Sequence, residues 1–245
     1  MLFSEIIDKE KETLLNAEEK YGEYHHNCFA FVGLVQDFIK EAKPDAWIFA
    51  LFLSQIKKHI VLSFFSALRQ HHIQAMLNLR QVFEAGAKGA YSIAFPEYQR
   101  FAQTNSNGTA FEPEGLAKEA YDWLEENYPK GTEPLKKLKK TINESCAHAN
   151  AIYAFLNFEI KEKTRRFEFS FFDKDDPDLV KVDLWFIGNV AMGLMDLFYG
   201  VNQGRNLITF SPDFITRLKQ YEAVGNKLKA EMMSKERFAR FKIQG

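Results

Sequence analysis

The sequence predicts an all-α protein: a multi-helix bundle with a small two-stranded β-ribbon pairing about 165–172 with 206–210. Three observations carry this. Apolar residues recur at helical spacing along most of the 245-residue chain. Only 13 Gly and 7 Pro are present, too few for the turns of an all-β fold, whereas 24 Phe promise an aromatic core. Period-two alternation is confined to "RRFEFSFFD", where Phe167, Phe169 and Phe171 alternate with Arg166, Glu168 and Ser170. No repeat, low-complexity tract or linker divides the chain, so 1–245 reads as a single helical domain.

Residues 2–20 set Phe3, Ile6, Ile7, Leu14 and Leu15 among Glu and Lys, an amphipathic surface helix. A second apolar run extends from about Cys28 to Ile39 and stops before Lys43-Pro44. Pro44-Asp45 then opens a third helix to about Leu68, apolar round most of its circumference, with Gln55, His59, Ser63 and Ser66 as its polar strip. Lys57, Lys58 and His59 interrupt this segment, which predicts a buried core helix and no membrane span. "RQHH" (69–72) breaks it from the next helix, which ends near Phe95-Pro96. The stretch 104–115, dense in Asn, Gly, Thr and Pro, is a loop.

Leu116–Asn127 forms a short helix, and Thr132 with Pro134 opens one that runs to about Ile160. Asp176-Pro177 caps a helix reaching about Gln203, and Ser211-Pro212 starts the last, to about Met233. "NLITF" (206–210) is the expected partner of the strand.

The candidate site arises from a conflict in "HIQAMLNLRQVFEAGAKGAY". An apolar stripe stepping from Ile73 through Leu77 reaches Arg80 and Glu84 before Ala87 and Tyr91. Two charges on the face that should be driest lose several kcal/mol of hydration each unless well paired. At i and i+4 they can pair with one another. Two readings stand: a buried ion pair that fixes helix register, or a polar cavity or site. His148 shares a face with Ile152 and Phe155, so burial is expected, and its imidazole needs partners such as Glu84. Asn150 lies on the opposite flank. Arg80, Glu84, His148 and Asn150 are therefore the candidate polar cluster.

"LRQVFEAGAKGAYSIA" followed by "INESCAHANAIY" resembles a group of uncharacterised all-helical bacterial domain families that carry an Arg-x-x-x-Glu helix and a later His-x-Asn helix. Some of these are distantly similar to the HEPN class (higher eukaryotes and prokaryotes nucleotide-binding). The resemblance spans roughly 45–160. HEPN ribonucleases cleave RNA with an Arg followed by four to six residues and then a His. The corresponding positions before His148 are Thr141, Ile142 and Asn143, none of them Arg, which argues against that chemistry.

Other chemistry finds less support. Glu23-Tyr-His-His26 is one Glu-x-x-His motif where a di-iron bundle needs two, so no metal site or cofactor is expected. His25-His26 and His71-His72 read as turn or surface residues. Cys146 and His148, two apart on a helix, diverge. "LKKLKK" (135–140) and "KERFARFK" (235–242) read as solvated faces able to touch phosphates, and "DKDDPD" (173–178) resembles a calcium loop in composition only.

Net charge is -1, so no global field recruits nucleic acid or anionic membrane. Two cysteines and an acidic N-terminus without a signal pattern point to a cytoplasmic protein. The favoured function is a non-enzymatic binding or interaction module, with a small ligand or protein partner and a possible homodimer. A HEPN-like nucleic-acid or nucleotide effector and, more remotely, a helical metal enzyme are the alternatives.

Overall fold

A computed structural model describes residues 2–145, 156–161 and 166–239. Ten α-helices lie among the described residues. They are α1 (Phe3–Leu15), α2 (Ala17–Tyr21), α3 (Glu23–Asp37), α4 (Trp47–Leu68), α5 (His72–Ala94), α6 (Leu116–Asn127), α7 (Pro129–Ser145), α8 (Pro177–Arg205), α9 (Phe214–Ser234) and α10 (Glu236–Ala239). The all-α bundle with small β elements is thus present.

Helix α8 forms the axis of the bundle, with α3, α4, α5, α7 and α9 packed around it. Its start is built locally: Asp176 Oδ1 accepts from the amides of Asp178 and Leu179, and Pro177 sits in the first turn, where its missing N–H costs nothing. Its end turns on Asn206, which adopts the left-handed region at φ 53°. Phe31, Phe38, Phe49, Phe83, Phe198 and Phe214 are fully buried, so the Phe-rich composition does supply the core.

Two glycines on facing helices set how closely the bundle closes. A Cβ on Gly86 of α5 would come within 2.5 Å of Leu194 Cδ2 on α8, and one on Gly193 of α8 within 2.9 Å of Leu135 Cδ2 on α7. Each costs about 1 kcal/mol of helix propensity relative to Ala, offset by the close approach.

Several expected boundaries move. The N-terminal helix breaks at Asn16, and α7 starts at Pro129, one turn before Thr132. That helix cannot reach Ile160, because Phe158–Lys161 is a strand. The predicted ribbon partner is also corrected. Strand Arg166–Phe169 pairs antiparallel with Phe158–Lys161, a nearer segment that closes with less loop entropy. Ile208–Phe210 pairs instead with Ile39–Ala42, tying the end of α3 to the end of α8. A third ribbon, Gln103–Thr104 with Ala110–Phe111, lies within the predicted loop.

Helix α4 corrects the expectation of a buried core helix. Most of its polar strip turns inward, Gln55 staying exposed: Ser63 and Ser66 are buried, Ser63 Oγ donates to the Ala75 carbonyl, and His59 Nδ1 meets Asn78 Oδ1 at 2.9 Å. Its outward face carries Trp47, Leu51, Leu62 and Phe65. By length and composition Pro44–Leu68 and Pro177–Arg205 could each cross a membrane, but 56% of the most apolar stretch of the second is buried against 39% of that of the first.

Candidate functional site

Arg80 and Glu84 do meet: Arg80 Nε donates to Glu84 Oε1 at 3.2 Å. The pair is nevertheless not on a dry face. Their side chains keep 36% and 32% of their accessible surface. The helix is rotated from the stripe read in the sequence. Val82, Phe83, Ala85, Gly86 and Ala90 face the core, and Ile73, Leu77, Arg80, Glu84 and Lys88 form the more open edge. The conflict dissolves because glycine and alanine on the inward side let α8 and α4 pack against α5, leaving Ile73, Leu77 and the charged residues on the open edge. His148, Asn150 and Cys146 lie outside the described residues.

Tyr121 of α6 donates its hydroxyl to the Phe83 carbonyl at 3.2 Å, and Lys139 of α7 holds its Nζ 3.7 Å from the centre of the Tyr121 ring. Burial and the Glu84 charge push the Tyr121 phenol above its ordinary value. Loss of hydration pulls the Lys139 ammonium below the usual lysine value; Glu84 opposes this, and Arg80 and Lys88 add to it. Lys88, the next cation along α5, is held 2.7 Å from both oxygens of Glu112.

A second polar centre corrects the reading of His71-His72 as turn or surface residues. His72 is 8% exposed, and its Nδ1 lies 2.8 and 2.9 Å from the two oxygens of Asp183, itself 2% exposed. Asp173 accepts from the His72 amide at 2.7 Å, which caps the start of α5 from a distant segment. His71 is half-buried, its ring stacked on Phe172 and edge-on to Phe171. Between α4 and α5, Gln70 takes a left-handed φ of 62° with its side chain buried, and its Nε2 donates to Asp175 at 2.8 Å. The "DKDDPD" loop therefore serves as a set of caps and partners. Burial raises the Asp183 carboxyl above its usual value, with His72 opposing the shift.

This network joins α5 to α8 and the loop before it. A shallow pocket of about 210 Å³ opens beside it, lined by Glu12, Thr13, Asn16, Lys20, Gln70 and Asp175 among others. Among the described residues no group of three or more His, Cys, Asp or Glu is placed to hold a metal ion. Cys28 is buried, which raises its thiol well above the ordinary value and makes it inert as a nucleophile.

The only sequence signal for the His72–Asp183 pair was an aspartate on an otherwise apolar helix face, Val180, Asp183, Leu184, Ile187. That pattern marks burial without naming a partner. Comparison with protein-family models, with curated proteins and with solved structures finds no match for the chain.

Proposed function

We propose that the chain is a non-enzymatic interaction module that pairs with a second copy of itself through the outer face of α4. The observation that carries this is that α4 is apolar on both sides: Ile48, Phe49, Leu53, Ile56, Ile60 and Phe64 are buried, and a second set of large apolar residues is left outside. Exposure there runs from 38% at Phe65 through 40% at Leu62 and 46% at Trp47 to 53% at Leu51. Phe29 of α3 extends the patch beside Phe64, 6.0 Å between ring centres. Several large exposed apolar side chains along one helix mark an interaction surface.

The pattern along the helix favours a second copy as the occupant. Trp47, Leu51, Ser54, Lys58, Val61 and Phe65 follow one another in steps of four, three, four, three and four residues, the seam of a helix pair. That series reads the same in both directions about position 56. An antiparallel two-fold pairing sets Trp47 opposite Phe65, Leu51 opposite Val61, and Ser54 opposite Lys58. Such self-complementarity is what an isologous interface requires. Covering a half-exposed Trp, Leu or Phe contributes about 1 kcal/mol each. Eight of them total about 8 kcal/mol, and an association cost of at least about 4 kcal/mol leaves a weak dimer that dissociates in about the millimolar range.

Sedimentation velocity over a concentration series tests the reading. Wild type is expected to shift from monomer to dimer, and Leu62→Glu with Phe65→Glu to stay monomeric with unchanged helicity and melting. A wild type that shows no dimer up to about 1 mM, or a dimer that survives the double substitution, overturns it. A monomer that binds lipid vesicles through the same face overturns it too, and assigns the surface to a membrane.

A further inference from the structure

The run "LKKLKK" contains four lysines, and three of them find carboxylates: Lys136 with Glu125, Lys137 with Glu133 and Lys140 with Glu144. Lys139 differs. It makes no ion pair among the described residues, and its Nζ instead stands over the Tyr121 ring at 3.7 Å. It is half-buried, on the side of α7 that faces α5.

Arg80 is also incompletely used. Its hydrogen bond to Glu84 comes from Nε, and its two terminal nitrogens make none among the described residues. Lys88 completes the group and is neutralised by Glu112. Arg80, Lys88 and Lys139, whose charges act on one another, are thus three cations to two carboxylates, Glu84 and Glu112, and Lys139 is partly desolvated. A cation that has lost hydration without gaining a counter-ion binds an anion more strongly than a solvated one.

We infer that Lys139 of α7, seated over the Tyr121 ring, and Arg80 of α5, one turn before the Phe83 carbonyl that holds the Tyr121 hydroxyl, form a binding site for a phosphate group. The planar guanidinium offers two parallel donors to the phosphate oxygens, and Lys139 supplies a point charge from the opposite helix. Glu84 stays on Arg80 Nε and holds the guanidinium in place. The site is separate from the outer face of α4 and stands or falls independently of dimer formation.

Calorimetric titration of the full chain with inorganic phosphate at constant ionic strength tests this, with O-phosphoserine as a second ligand. The ε-methylene resonance of Lys139, displaced by the Tyr121 ring current, reports on the same site by NMR. The expected result is saturable heat together with a saturable shift of that resonance. Lys139→Met and Arg80→Gln each weaken binding by about tenfold or more, the loss of one charge-assisted hydrogen bond. Lys136→Met, an exposed and already paired lysine, leaves it unchanged. Equal affinity for the two ligands assigns the site to the phosphate group alone. Tighter phosphoserine binding assigns it to a phosphomonoester. No saturable response, or equal weakening by Lys136→Met, means only diffuse screening of a basic helix and overturns the inference.

Discussion

His72 on the first turn of α5 and Asp183 within α8 stand 111 residues apart in sequence and share a contact of 2.8 Å inside the bundle. Both are almost fully buried, so neither can turn to water if the other is removed. Asp183→Ala is expected to cost about 3–5 kcal/mol, as for other broken buried pairs. Asp183→Asn should cost less, because its amide oxygen still accepts from His72 Nδ1. Chemical denaturation of the two variants measures the difference, and equal losses would show that the charge matters more than the hydrogen bond.

The same pair sets a pH dependence. Burial raises the Asp183 carboxyl on folding, with His72 opposing. A carboxyl raised in this way favours the native state fully below its unfolded value, near 3.8, and loses that contribution as pH climbs through the folded value. The melting temperature of wild type relative to Asp183→Asn should therefore fall between acid and neutral pH. A rise over that range would show that pairing with His72 outweighs desolvation.

Arg80 and Glu84 predict the opposite magnitude. With about a third of each side chain exposed, water screens the pair. Glu84→Leu should change stability by only tenths of a kcal/mol, the usual worth of an exposed i,i+4 pair. A loss above about 2 kcal/mol would mean the ion pair is far drier than its exposure indicates.

Gly86 and Gly193 are close-approach positions. Gly86→Leu must displace the Leu194 head, whose two methyls and Cγ all stand within 3.3 Å of the added Cβ. The expected cost is about 1–3 kcal/mol through overpacking. Gly193→Leu should lose a similar amount against Leu135. Gly204, with nothing within 4 Å, serves as the control, where Ala should be neutral or stabilising.

Asn202 holds the turn out of α8. Its Oδ1 accepts from the amides of Leu207 and Ile208, and its Nδ2 donates to the Ile208 carbonyl, all buried. Asn202→Leu leaves these backbone groups unpaired and should destabilise by about 2–4 kcal/mol. Hydrogen exchange should reveal the loss first at Ile208–Phe210 and its partner Ile39–Ala42.

Local patterns in the chain determined the helices and their caps. The period of 3.6 in α4, α5 and α8, Asp176 before Pro177, and the break at Arg69–His71 all follow from residues close in sequence, whose propensities and hydrogen bonds act within one turn. The Arg80–Glu84 contact was legible for the same reason, being one turn long. Which side of each helix would face inward was decided only in three dimensions. On α5 the packing of Gly86 and Gly89 against α8 and α4 won over Ile73 and Leu77, so the charged stripe turned outward. On α4 the small serines went inward for the same reason, leaving Trp47, Leu51, Leu62 and Phe65 outside. The approach of Lys139 to Tyr121, the His72–Asp183 pair and the partners of each β-strand join segments tens to over a hundred residues apart. No local rule encodes such partners, because close packing of whole helices, summed over many weak contacts, sets which side chains finally meet.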